Sequence, residues 1–97
     1  MKLAITGHTQ GIGKAIAELY PDYIGFSRSN GYDISVDDNL EKIITQSQDC
    51  DVFINNAYSG DAQTKVFSML YELWRNDPNK TIVNIVSRAQ YDTHSQD

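Results

Sequence analysis

Cysteine and proline are nearly missing from this 97-residue chain, which has one of the first (Cys50) and two of the second. One thiol excludes any disulfide within the chain and any zinc site built from thiolates. Cys50 therefore reads as a small, partly buried filler where a helix gives way to a strand. Positive charge is also scarce. Eight Lys and Arg against thirteen Asp and Glu leave a net charge of −5, and the eight cations are scattered rather than clustered. Affinity for nucleic acid depends on neutralising phosphates, so no nucleic-acid partner is expected. No apolar run approaches the ~20 residues of a membrane-spanning helix, and the N-terminus has no signal-peptide hydrophobic stretch. The expectation is a cytoplasmic protein without a membrane partner. The two histidines, His8 and His94, have no neighbours in sequence that would complete a nucleophilic triad or a metal site; no metal is expected.

What the chain does have is alternation. At this length one domain, residues 1–97, is expected, with a thin core burying roughly 60–65% of the unfolded surface. Lys2 to Ile5 reads as a buried strand, and Ile12, Ala15, Ile16 and Leu19 as the inner stripe of a helix. Tyr23 to Phe26 gives a second strand and Tyr32 to Ile34 a very short third. Ser35 is positioned as an N-cap for a helix with Val36, Leu40, Ile43 and Ile44 on one face. Asp51 to Asn55 is a fourth strand, Thr64 to Arg75 a third helix, and Thr81 to Val86 a fifth strand; Ser87 to Asp97 is polar and poorly patterned. Strands alternating with helices call for a parallel sheet. The expected class is α/β: a Rossmann-type, doubly wound, three-layer α/β/α fold with five strands in the order 3-2-1-4-5. A ligand crevice would open at the carboxyl ends of strands 1 and 4.

The first seventeen residues, MKLAITGHTQGIGKAIA, carry the most chemistry. Gly7, Gly11 and Gly13 lie between a strand and a helix, the order needed to hold a pyrophosphate. Gly7 would permit the tight turn, Gly11 a close approach of backbone to phosphate, and Gly13 close packing of the helix on the sheet. Thr9, Gln10 and Ile12 complete the loop, whose free amides at the helix start attract anions. His8 is read as a variable loop residue rather than a phosphate ligand.

As T-G-x-x-x-G-x-G, this motif resembles the signature of the short-chain dehydrogenase/reductase family, and three further segments follow in that family's order. Phe26-Ser27-Arg28 stands where those proteins end their second strand, and Tyr32-Asp33-Ile34 resembles the segment flanking the adenine. Asp51 to Ala57, DVFINNA, is close to D-V-L-V-N-N-A-G, and Thr81 to Ser87 resembles the strand leading to a catalytic serine, here Ser87. The resemblance covers essentially the whole chain and implies an NAD(P)-binding domain of an oxidoreductase. By it, Asp33 would hold the adenine amino group, Ile34 would pack on the ring, and Asn55 and Ala57 would lie on the adenosine ribose side. The bland alternatives are that Asp33 only caps a turn and that Asn55 only satisfies backbone at the strand end.

At the end of the second strand, an acidic residue would accept from a ribose 2′-OH; this chain has Ser27, Arg28 and Ser29 instead. A guanidinium beside two hydroxyls suits a 2′-phosphate, which favours NADP(H) over NAD(H). The alternative is that Arg28 is a solvated loop charge. The departures bear on activity. Tyr58 replaces the family's glycine after Asn-Asn-Ala, and would either stack on a ligand or close the crevice. The helix starting near Thr64 lacks the family's structural asparagine, whose place falls near Ala62. The family's Y-x-x-x-K does not follow Ser87: Tyr91 comes too early and is followed four residues on by Ser95. A tyrosine without a cationic neighbour is a poor base at neutral pH. The expectations are thus a cofactor-binding domain of a short-chain-dehydrogenase-like oxidoreductase or, alternatively, a non-catalytic nucleotide-binding or interaction protein that keeps the fold. Relatives pair through the third helix, so the Thr64 to Arg75 helix is a candidate homo-oligomer contact.

Overall fold

Short apolar runs that pair on both edges and pack on both faces organise the chain. The computed structural model describes residues 1–85. Its elements are β1 (Leu3–Thr6), α1 (Gly11–Leu19), β2 (Tyr23–Phe26), α2 (Asp37–Gln46), β3 (Val52–Asn55), α3 (Ala62–Trp74) and β4 (Thr81–Asn84). A single 3-10 turn over Arg28–Asn30 follows β2. The four strands form one parallel sheet in the order β2-β1-β3-β4, with Leu3 paired to Tyr23 on one side and to Val52 on the other. This is a small α/β architecture compatible with a Rossmann-like fold.

Side chains alternate between two cores, as parallel strands require. Ala4, Phe26 and Phe53 face α2 and α3, meeting Leu40, Ile43 and Ile44 of the first and Val66, Leu70 and Trp74 of the second. Leu3, Ile5 and Ile54 face the other way, toward Ala17 and Ile16 of α1. All four residues of β1 are buried. Each of its large side chains contributes about 1.5–3 kcal/mol by leaving water. Cys50 is fully buried just before β3. Lys80 closes the far end of the sheet: its Nζ donates to the carbonyls of Gln48 and Cys50 and lies 4.9 Å from the centre of the Trp74 ring.

Three expectations are corrected. Tyr32 to Ile34 is not a strand, so the sheet has four strands rather than five; the observed order is the expected one without that edge. The Asn30 amide donates to the carbonyl of Gly25 at 2.8 Å, occupying a β2 acceptor that an edge strand would need. One Asp33 carboxylate oxygen then takes both the amide and the hydroxyl of Ser35, at 2.9 and 2.7 Å. These local bonds turn the chain instead of extending it. Ser35, used in that turn, is not the N-cap of α2; the helix starts at Asp37 after Val36, with Asp37 and Asp38 in its first turn complementing the dipole. In α1 the buried residues are Gly13 and Ala17, while Ile12 and Leu19 are 57% and 74% exposed. Gly13 must face inward because the Gly7 carbonyl and the Asn56 amide stand where any Cβ would go, and that requirement rotates the apolar stripe outward. Among the described residues no helix is long and apolar enough to cross a membrane.

Candidate functional site

From β1 the chain passes through α1 to β2 on one side, and from β2 through α2 to β3 on the other. The direction of winding reverses at β1, and the loops after β1 and β3 therefore diverge and leave a crevice. A cleft of about 490 Å³ occupies that place, within the range of small-ligand sites. Its walls come from the segments following β1, β2 and β3.

The first wall is the glycine loop, through Gly7, Thr9 and Gln10. Gly7 has φ +71°, a left-handed conformation that suits a residue without a Cβ. Thr6, just before it, is fully buried, and its hydroxyl accepts the amides of Asn56 and Ala57 at 3.0 Å each. The Asn56 side-chain amide returns the connection by donating to the Gly7 carbonyl at 3.0 Å. The loops after β1 and β3 are thereby held as one unit. Gln10 precedes α1 without capping it through its side chain, and no acidic residue sits in the first turn. The amides of Gly11, Ile12 and Gly13 thus open the helix as uncompensated donors. A Cβ at Gly11 would meet nothing within 4 Å, whereas Gly13 is packed tightly on the loop. Gly11, Ile12 and Gly13 themselves do not line the cleft.

The second wall follows β2. The Ser27 amide donates to the Asn30 carboxamide oxygen at 2.8 Å, and the hydroxyls of Ser27 and Ser29 lie 2.7 Å apart. Arg28 is exposed between them and makes no salt bridge among the described residues. Asp33 faces the same cleft. The hydroxyl of Ser35, then its amide, and more weakly the charge of Arg28 hold the Asp33 carboxyl below its ordinary pKa. Arg28 and Asp33 are the only charged residues lining the cleft among those described. Ile34 borders the cleft but is only 4% exposed, most of its side chain being part of the α2–α3 core.

The third wall is Asn56 to Ser59, including Ala57 and the 58%-exposed Tyr58. Asn55 is not brought to the cleft. It is fully buried, and its side-chain amide donates to the Gln63 carbonyl at 3.0 Å and to the Asn84 side chain at 2.9 Å. Its own carboxamide oxygen is buried without a partner. Tyr32, Ser35, Asn56 and Ser59 also line the cleft, though sequence reasoning did not select them. For Asn56 the signal was present in the Asn-Asn pair; which of the two turns toward the glycine loop depends on strand register. Ser87 lies outside the described residues. Among the described residues no group of three or more His, Cys, Asp or Glu is placed to hold a metal ion. No protein-family description, curated protein or solved structure matches the chain.

Proposed function

We propose that this chain is a nucleotide-binding domain, similar to the cofactor-binding part of short-chain dehydrogenases/reductases, that holds NADP(H) in the cleft at the ends of β1, β2 and β3. The observation that carries this reading is the pairing of two walls. A glycine loop entering an uncapped helix stands on one side, and Arg28 with the hydroxyls of Ser27 and Ser29 on the other. Backbone amides of the first wall suit a pyrophosphate, and the guanidinium of the second suits a 2′-phosphate. Gly11, Ile12 and Gly13 contribute through their backbone. The Asp33 carboxylate, with one oxygen committed to Ser35, offers the other to the adenine amino group.

The proposal concerns binding. No Y-x-x-x-K follows Ser87 in the sequence, so a reaction on the bound cofactor needs a proton donor that the recognised motifs do not supply. A cytoplasmic setting fits this reading, since NADP(H) is an intracellular solute. Pairing of two copies through α3 is part of the same proposal; Tyr71 and Leu73 are exposed on that helix.

Thermal denaturation with NADPH and NADH tests the reading. At one hundred times its dissociation constant a ligand stabilises by about 2.7 kcal/mol, on the order of 10 °C or more in Tm for a domain of this size. NADPH should give such a rise at concentrations at least about tenfold below NADH, a difference of ~1.4 kcal/mol. Arg28→Ala should erase that preference. No shift with either nucleotide sinks the proposal, leaving a protein that keeps the fold for interaction, with Tyr58 standing in the crevice.

A further inference from the structure

The cleft ends early. Its lining takes residues from the segments after β1, β2 and β3, and among the described residues none beyond Ser59. The ground farther along, over the carboxyl ends of β3 and β4, is already filled. Gln63, in the first turn of α3, donates its side-chain amide to the carbonyls of Asn55 and Ile85 at 2.9 and 2.8 Å. Asn55 in turn donates to Asn84 across the β3–β4 pair. Backbone acceptors that would face a ligand on that side are thus taken by the chain itself.

A dinucleotide fold is built from two halves of the β-α-β-α-β kind, each holding one mononucleotide. The described chain contains one such half, β1 through β3, and only α3 and β4 beyond it. Resting on the NADP(H) reading above, we infer that the cleft is a mononucleotide site: it grips the adenosine 2′,5′-bisphosphate portion and leaves the nicotinamide nucleotide in water. The class of ligand it accepts is accordingly any adenosine phosphate carrying a second phosphate on its ribose. The group attached beyond the 5′-phosphate is not discriminated.

Isothermal titration of the 97-residue chain with 2′,5′-ADP, NADP+, NADPH and nicotinamide mononucleotide tests this. The expected result is that 2′,5′-ADP and both forms of the dinucleotide bind within about tenfold of each other, a span of ~1.4 kcal/mol. Nicotinamide mononucleotide should fail to displace them, and the nicotinamide fluorescence of bound NADPH should match that of the free cofactor. If either dinucleotide binds more than tenfold tighter than 2′,5′-ADP, or the fluorescence of NADPH rises and shifts to the blue, the mononucleotide inference is overturned while the NADP(H) reading stands. If neither the dinucleotides nor 2′,5′-ADP bind, both fall. If 2′,5′-ADP binds and Arg28→Ala weakens it and NADP+ by the same factor, the inference gains its strongest support.

Discussion

The imidazole of His8 lies flat against Gly25: a Cβ added at Gly25 would stand 2.5 Å from three of its ring atoms. His8 therefore does not reach toward the cleft. It folds back from the glycine loop onto β2, with the Tyr23 ring 5.8 Å away and its own Nδ1 buried without a partner. Gly25→Ala should expel the ring and cost about 1–3 kcal/mol, as overpacking does. The loss should be read as a lower urea midpoint at unchanged slope. In a His8→Ala background the same change should cost under half as much. Equal costs in both backgrounds would show that the two residues are not coupled.

Gly13 tolerates even less. The Gly7 carbonyl, which is backbone, occupies the space its Cβ would need, and backbone cannot swing aside as a flexible side chain can. Gly13→Ala should destabilise by on the order of 3 kcal/mol and faster amide exchange should appear across residues 7–13. Gly11→Ala provides the contrast: it meets no atom, and its penalty comes only from the positive φ of +60°. Parity between the two variants would refute the packing argument.

Thr6 ties two loops with one oxygen. Thr6→Val keeps the shape but removes the acceptor for the Asn56 and Ala57 amides. The expected cost is about 1–3 kcal/mol, the penalty of leaving such donors unmade. Thr6→Ser, which restores the hydroxyl, should recover most of it. Chemical denaturation of the three proteins decides the point; a serine variant no better than the valine one would assign the effect to the methyl group.

Cys50 gives a pH signature. Burial, the largest influence, pushes its thiol above the ordinary 9.0, against the opposing charges of Lys2 and Lys80. A thiol that ionises more readily when unfolded contributes stability that is fully present below pH 9. That contribution is lost as the pH rises from there toward the folded-state value. Cys50→Ala should flatten the decline between about pH 9 and 10. The native thiol should react with a disulfide reagent at pH 8 only as fast as the protein unfolds. Rapid labelling of the folded protein would contradict its burial.

The strands and the glycine loop were legible because each is a local pattern: LAIT, YIGF, VFIN and TIVN are apolar runs between turn signals. The order of the sheet followed from alternation with helices. What sequence did not reveal depends on contacts between distant residues. Ile12 and Leu19 share a helical stripe with Ile16, but only the demand of Gly13 for space decides which side faces the sheet. Asn55 and Asn56 are equivalent in sequence, yet register with Asn84 assigns the first to the interior and leaves the second beside the glycine loop. Tyr32 to Ile34 has strand-like residues, but Asp33 and Ser35 bond locally before an edge can form.

The central position of β1 also shapes how the chain comes to be folded. Its partners arrive late: the Lys2 amide meets the Asp51 carboxylate across 49 residues, and no hairpin is available, since every strand pair is parallel. Such pairings carry loop-closure entropy before any contact offsets it, which slows folding relative to helical bundles. During synthesis at ~5–20 residues per second, β1 waits roughly 2–10 s for β3 to emerge. For that interval the most buried strand of the finished protein is an uncovered apolar segment, and its brevity, four residues, limits what it can wrongly pair with.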